Sequence, residues 1–274
     1  MSRVFVYFLF YALIQIVCSI VMGIAFGISG DSSQISSTQI ILTSVVSNVI
    51  AIAIFVLARW TPFSLDFFKG KPTTIIYWSI LIGLGMIIPT SWMEDLIPEA
   101  LKTDILADQF KSVLADKWGY LAIGLMAPAA EELVFRGGIQ KAAVAFFEER
   151  FNRPAADGSQ VSRSNIPHWI GIILTAILFA LIHGNPAQMP HAFLAGMLLG
   201  WLCYRSGSII PGIVVHWVNN SAAFLLYNFY PQAYDMHTID FFGNSVVRLG
   251  LATVFSLLLF VPAIYQIQKV MKRV

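Results

Sequence analysis

The sequence predicts an all-α membrane protein, a polytopic bundle of about eight transmembrane helices. The first reason is composition: 57% of the 274 residues are hydrophobic and 12% are charged, whereas about 25% are charged in a typical soluble domain. The second reason is that the apolar residues fall into runs of about 20, the length that a helix needs to cross a bilayer. A net charge of +2 is too small to indicate a nucleic-acid partner.

The apolar runs are joined by short connections, so we expect residues 1–274 to form a single polytopic membrane domain. The acidic segment 94–116 is predicted to form an amphipathic helix on the membrane surface. The polar segment 151–166 is predicted to be an exposed loop. The predicted spans are 4–28, 38–59, 73–92, 118–148, 167–184, 188–205, 209–229 and 246–268.

Lys and Arg are distributed unequally between the two sides of the predicted bundle, 12 against 4. Because cytoplasmic loops carry the excess of positive charge, this predicts that both termini are cytoplasmic. The short chain suggests the cytoplasmic membrane of a bacterium. The richer side has Arg3, Arg59, Lys69, Lys71, Lys141, Arg150, Arg153, Arg163, Arg205, Lys269, Lys272 and Arg273, and the poorer side has Lys102, Lys111, Lys117 and Arg248.

Several kinds of site are excluded by the sequence. The metalloprotease motif HExxH and the serine-hydrolase motif GxSxG are absent, and no pair of Asp residues lies in apolar segments. Cys18 and Cys203 are isolated in apolar runs, so we expect two buried thiols rather than a disulfide framework or a CxxC metal site.

Three charged residues interrupt the apolar middle of the fourth predicted span: Glu131, Glu132 and Arg136. Charge at the centre of a membrane helix costs about 2.5–3.5 kcal/mol per residue, which indicates function. On an α-helix Glu132 and Arg136 share a face, whereas Glu131 is rotated by about 100° and can point elsewhere. We expect Glu132 and Arg136 to form an ion pair that fixes the local geometry, and Glu131 to act as a general base. The alternative is a buried ion network that only locks helix packing. Gly137 and Gly138 would let another helix approach closely, which serves either packing or a site.

Two later spans each carry a histidine. His183 lies in the last turn of the fifth span, where unpaired carbonyls favour a cation or a metal. In the seventh span His216 and Asn220 are four residues apart, so both can donate to one bound oxygen. For His183 the alternative is a core histidine whose hydrogen bonds are satisfied. For His216 and Asn220 the alternative is an interhelical hydrogen-bond clasp. The remaining histidines are expected to be interfacial: His168, His191 and His237.

If these helices converge, two kinds of chemistry are open. Water-mediated attack on a carbonyl would use a base, its partner and oxyanion donors. Alternatively, Glu131, His183 and His216 could hold zinc or another divalent metal, with one position open to water.

In this order the residues resemble the CAAX prenyl protease 2 family of intramembrane proteases, whose bacterial branch is also called CPBP or Abi. Its pattern is EExxxR, then FxxxH, then HxxxN. Here these read EELVFR at 131–136, FALIH at 179–183 and HWVNN at 216–220. The resemblance covers a catalytic core at about 118–229. It implies a bundle of eight helices with an intramembrane catalytic cavity, and endopeptidase activity.

The resemblance also implies roles for single residues. Glu131 would activate water alongside His183, and His216 and Asn220 would stabilise the oxyanion. Glu132 and Arg136 would support the site. The family has been described both as metal-dependent and as using a glutamate and water without an obligatory metal, and both mechanisms stay open.

The implied partners are membrane lipids and a peptide or membrane-protein substrate. A bacterial member would cut a substrate other than a prenylated protein. Two other classes of function compete with the protease. One is a non-catalytic membrane scaffold or a bacteriocin-immunity protein of the same fold. The other is a transporter with an intramembrane ion path. The lack of an internal repeat in the sequence argues against a transporter.

Overall fold

The computed structural model describes residues 1–28, 35–62, 64, 66–69, 72–98, 107–151 and 164–271. Within these ranges the fold is helical and contains no strand, which confirms the predicted all-α class. The α-helices are α1 (Ser2–Ile28), α2 (Ser37–Leu57), α3 (Thr74–Asp95), α4 (Ala107–Ala115), α5 (Ala127–Glu132), α6 (Lys141–Phe151), α7 (Ile166–Ile182), α8 (Met189–Ser206), α9 (Ile210–Phe229) and α10 (Val246–Val270).

All eight segments predicted to span the membrane contain helix. Four helices are long and apolar enough to cross a bilayer: α1, α2, α3 and α10. Helix α7 is apolar but shorter. These apolar helices indicate an integral membrane protein, while the number of eight spans stays a prediction.

Two predictions concern segments that are only partly described. Helix α4 covers part of the predicted surface helix at 94–116, but residues 99–106 lie outside the described ranges. The predicted loop at 151–166 falls mostly on residues 152–163, which also lie outside them. Cys18 and Cys203 are free and buried, as predicted.

We call residues 121–151 the motif helix, because they carry the charged cluster. A π-helical segment at Leu121–Met126 precedes α5, and a second π segment at Leu133–Gln140 separates α5 from α6. The prediction of one regular α-helix over 118–148 is therefore wrong in these two segments. π turns occur mostly as local bulges and are frequent at functional sites.

Pro128 gives a local reason for the first π segment. A proline has no N–H, so the regular ladder of hydrogen bonds cannot continue through it. Just before Pro128, the backbone N–H of Ala127 bonds to the carbonyl of Ala122, five residues back. The ladder has thus shifted from α to π spacing where the proline enters.

Small residues allow α3 to approach two other helices closely. A Cβ atom at Gly83 of α3 would lie 2.7 Å from Cβ of Val218 in α9. A Cβ at Gly85 would lie 2.8 Å from the backbone of α10 at Phe260 and Ser256. Helix α3 therefore packs on α9 through one glycine and on α10 through another.

Residues assigned to one side of the predicted bundle are neighbours in the fold. At one end Arg205 of α8 donates to the carbonyl of Met271, after α10, at 2.9 Å. At the opposite end Lys111 of α4 pairs with Asp235 at 2.7 Å. The grouping of helix ends agrees with these contacts, while the end that faces the cytoplasm stays a prediction.

Candidate active site

A buried ion pair lies at the centre of the motif helix. Arg136 Nη1 donates to Glu132 Oε1 at 2.8 Å, and both side chains are 0% exposed. Arg136 Nη2 donates to the carbonyl of Gly196 in α8 at 3.3 Å. The predicted pairing of Glu132 with Arg136 is confirmed, although Arg136 lies in a π segment. The pair also ties the motif helix to α8.

His216 of α9 lies between the two carboxylates. Its Nδ1 is 3.3 Å from Glu132 Oε1, and its Nε2 is 3.8 Å from Glu131 Oε2. The Glu131 carboxylate therefore lies near the same imidazole as Glu132, on the side of the other ring nitrogen. Gly212, one turn earlier in α9, makes room for this contact, since a Cβ there would lie 2.8 Å from Glu132 Oε2.

The charges of this cluster fix the direction of its hydrogen bonds. A carboxylate oxygen only accepts, so His216 Nδ1 donates to Glu132. Glu131, Glu132 and Arg136 carry a net charge of −1 when all are ionised. A protonated His216 would bring the cluster to zero, and its Nε2–H would then face Glu131.

His183 follows the last residue of α7 and is exposed. Its Nδ1 lies 2.7 Å from the carbonyl oxygen of Phe179, one turn earlier. Because a carbonyl can only accept, Nδ1 carries the proton, and in the neutral ring Nε2 is left as an acceptor. The unpaired carbonyls expected at this helix end thus orient the imidazole.

The ring of Phe179 connects both histidines with the ion pair. Its centroid lies 4.8 Å from the ring centroid of His183 and 5.8 Å from that of His216, both edge to face. The Arg136 guanidinium carbon lies 4.4 Å from the same centroid. Phe179 therefore fixes the relative positions of side chains from three helices, a role that the sequence analysis did not assign to it.

Asn220 is engaged with the first π segment. Its Nδ2 donates to the carbonyl of Ile123 at 3.1 Å. In π spacing the donor for that carbonyl would be residue 128, which is proline and has no N–H. Asn220 supplies the missing donor and keeps one amide proton for another acceptor.

Comparison with protein-family models gives a match to residues 114–222, described as type II CAAX prenyl endopeptidase Rce1-like. This segment is Rce1-like. It contains all three motifs, so the family resemblance drawn from them is confirmed. Comparisons with curated proteins and with solved structures find no match.

Residues outside the Rce1-like segment also hold the motif helix. Thr61 Oγ1, shortly after α2, donates to the carbonyl of Leu133 at 2.8 Å, where the second π segment begins. Gly137 leaves room for the Thr61 side chain, and Gly138 for the ring of Phe55. The close approach predicted from these two glycines is confirmed, and its partner is the end of α2.

A half-buried tyrosine just before the motif helix also connects it to α9. Tyr120 OH accepts from Trp217 Nε1 at 3.0 Å and shares a hydrogen bond of 3.0 Å with Ser221 Oγ. Both partners are neighbours of Asn220 in sequence. Pro128 and Tyr120 were the sequence signals for this arrangement, because one removes a donor and the other adds a polar atom to an apolar helix.

The other three histidines lie near carboxylates at helix ends. His191 Nδ1 is 2.7 Å from Glu94 Oε1, which joins α8 to α3. His237 Nδ1 is 3.4 Å from Asp95 Oδ1. His168 Nδ1 is 3.9 Å from the nearest oxygen of Glu148, beyond hydrogen-bond distance. These positions agree with the predicted place of the three histidines at the ends of spans.

Metal binding by Glu131, His183 and His216 stays a prediction. Across the described ranges no group of three His, Cys, Asp or Glu side chains is placed to hold a metal ion. His216 Nδ1 is directed to Glu132 and His183 Nδ1 to a backbone carbonyl. In each histidine Nε2 is therefore the nitrogen left to face a water or a metal, and the chemistry below is derived from the protein groups alone.

Proposed function

We propose that the protein is an intramembrane endopeptidase in which Glu131 activates water to hydrolyse a peptide bond. One observation carries the proposal: Glu131 Oε2 is buried, has no hydrogen-bond partner among the described residues and lies 3.8 Å from His216 Nε2. An unsatisfied buried carboxylate oxygen is costly, and a general base needs such a free oxygen. The Rce1-like match supports a protease of this type.

The first step is attack of water on the scissile carbonyl. A water within about 2.8 Å of both Glu131 Oε2 and His216 Nε2 lies to one side of the line joining them. Glu131 takes one proton from this water while its oxygen bonds to the carbonyl carbon. His183 Nε2, which is free to accept, would hold the second proton of the water in place.

The second step is collapse of the tetrahedral intermediate. Its oxyanion would accept from Nε2–H of a protonated His216 and from the second amide proton of Asn220. The C–N bond then breaks, and the proton held by Glu131 passes to the leaving amine. Glu132 and Arg136 hold His216 in the required orientation and are not consumed.

The proposal extends to substrate and location. We infer a peptide or membrane-protein substrate, because the site lies on helices within an apolar bundle. We further infer the cytoplasmic membrane of a bacterium, with both termini cytoplasmic and membrane lipids around the apolar helices. The excess of Lys and Arg on one side supports the orientation.

The deciding experiment measures cleavage of a pool of quenched fluorescent peptides by the purified full chain. Glu131→Gln should reduce the rate by about 10²–10⁴-fold, the usual contribution of a general base. Glu149→Gln is the matched control, because it removes an exposed carboxylate from the same helical run. Size-exclusion chromatography and circular dichroism check that each variant is folded. Equal cleavage by Glu131→Gln and the wild type would refute the assignment.

A non-catalytic scaffold is the second candidate, and one observation favours it. Asn220 and His216 already make the interhelical bonds that a structural clasp would make. In one outcome the folded wild type cleaves none of the peptides, while Glu132→Gln and Asn220→Ala lower the unfolding temperature. The motif then serves helix packing, and the scaffold proposal is correct.

A further inference from the structure

A cavity of about 280 Å³ lies between α6, the start of α7 and the end of α8. Its lining includes Arg136 but none of the other proposed site residues. Lys141 and Ala145, both exposed on α6, border it on the outside. The cavity therefore runs from the surface of the bundle to the buried ion pair, which it reaches on the side of Arg136.

Unpartnered polar atoms gather at this cavity. Six buried side-chain atoms lack a hydrogen-bond partner in the described ranges, and three belong to cavity residues: Arg136 Nε, Gln140 Oε1 and His168 Nδ1. Arg136 is 0% exposed and Gln140 is 5% exposed. Each unmade bond costs about 1–3 kcal/mol, so the cavity favours a molecule that supplies the partners.

The surrounding bonds decide which atoms are left over. Arg136 already donates from Nη1 to Glu132 and from Nη2 to Gly196. The guanidinium nitrogen left without a partner among the described residues is therefore Nε. Gln140 Nε2 donates to the carbonyl of Gly200 at 3.0 Å, so the free atom is the acceptor Oε1. A ligand that fits both must accept one hydrogen bond and donate another.

The cationic donors of the lining suit an anion. The lining includes two cations, Lys141 and the Glu132-paired Arg136, against the single carboxylate of Glu148. In the described part of the chain no carboxylate lies within salt-bridge distance of Lys141, whose Nζ is 3.5 Å from the centroid of Phe67. The remaining lining includes Val144, Ala145 and Cys203, so the anion should carry an apolar portion.

We propose that this cavity binds the headgroup of an anionic phospholipid with a hydroxyl-bearing headgroup. The phosphate oxygens accept from Arg136 Nε–H and Lys141 Nζ, and a headgroup hydroxyl donates to Gln140 Oε1. The apolar lining contacts the glycerol carbons. Lys141 lies on the side of the bundle that is rich in Lys and Arg, where basic pockets between helices bind anionic headgroups.

The test is a binding measurement that does not depend on peptidase activity. The full chain is purified in detergent, stripped of lipid and titrated with short-chain phosphatidylglycerol, with phosphatidylcholine of the same chain length as control. The rise in unfolding temperature reports binding. We expect a rise with phosphatidylglycerol alone, and an apparent affinity about fivefold weaker in Lys141→Gln, since one basic residue contributes about 1 kcal/mol.

Arg150→Gln is the matched control. Arg150 is an exposed cation on the same helix and also lies over a phenylalanine ring, 4.3 Å from the centroid of Phe146, but it does not line the cavity. Lys141→Arg should retain binding, which separates charge from folding. Ala145→Phe, which narrows the opening and keeps every charge, should lose it.

Three results would overturn the proposal. Equal weakening by Lys141→Gln and Arg150→Gln would show diffuse attraction to a basic surface. Equal effects of the two lipids would show that the charge of the headgroup is not recognised. Stabilisation by inorganic phosphate that depends on Lys141, without stabilisation by phosphatidylglycerol, would assign the cavity to a free anion instead of a lipid.

Discussion

The first apolar helix and the motif helix differ in which side chains they bury. Along α1 large apolar side chains are exposed, such as Leu9 at 62% and Ile20 at 56%. In the motif helix the residues 132–140 are all buried, although they include Glu132, Arg136 and Gln140. A helix that sequence hydropathy identifies easily is thus turned outward, and the charged helix forms the interior.

Regularity of the backbone differs in the same way. Helix α1 is an unbroken α-helix, whereas the motif helix contains two π segments. In each π segment a side chain from another element donates to a backbone carbonyl, Asn220 to Ile123 and Thr61 to Leu133. An irregular helix within an apolar bundle is tolerated where neighbours satisfy its carbonyls. The irregular backbone of the motif helix therefore depends on donors from other elements, whereas α1 is regular along its length.

The largest expected effect comes from Arg136→Met, which leaves Glu132 buried without its cation. We expect the free energy of unfolding to fall by about 3–5 kcal/mol, measured by denaturation in mixed micelles. Arg150→Met removes an exposed cation and should change it by less than about 0.5 kcal/mol. The double variant Glu132→Gln with Arg136→Met should recover part of the loss. Equal losses for the two arginines would remove the contrast between interior and surface.

Removal of His216 tests whether the interior serves chemistry. If His216 Nε2–H stabilises the oxyanion, His216→Ala should lower kcat by about 10²–10³-fold. His237→Ala is the comparison, because His237 pairs with Asp95 at the end of the bundle, and it should leave kcat unchanged. Similar kcat values for both variants would contradict the proposed role of His216.

Two glycines sharpen the contrast between packed and lipid-facing surfaces. Gly85→Ala would place a methyl group 2.8 Å from the backbone of α10, so we expect the free energy of unfolding to fall by about 1–3 kcal/mol. At Gly23 of α1 no described atom apart from the helix's own backbone lies within 4 Å of the added Cβ. Gly23→Ala should be neutral, or stabilising by up to about 1 kcal/mol through helix propensity. Destabilisation by Gly23→Ala would reveal a contact on the outer face of α1.

The smallest expected effect is that of chelation. In the proposed mechanism Glu131 acts on water without a metal, so we expect peptide cleavage to continue after treatment with 1,10-phenanthroline and dialysis. Metal content is measured on the same sample by mass spectrometry. Loss of cleavage that zinc restores would show that Glu131, His183 and His216 rearrange around a metal.

Much of the architecture could be predicted because it depends on local sequence. The prediction of helix at 209–229 agrees with α9 at Ile210–Phe229, since the length of an apolar run sets the length of a helix. The pair of Glu132 with Arg136 was predicted because residues four apart are neighbours on a helix. The role of Phe179 was not predicted, because its aromatic ring contacts residues of two other helices.

The sequence by itself determined the fold class, the helices and the kinds of reactive group, because hydropathy and helical spacing are local properties. Only the tertiary structure decided that Glu131 and Glu132 meet opposite nitrogens of His216 and that Asn220 replaces a donor lost at Pro128. It also decided that Arg136 closes the inner end of a cavity. These contacts depend on which helices are neighbours and on where small residues let them approach, and neither can be read from the period of one helix.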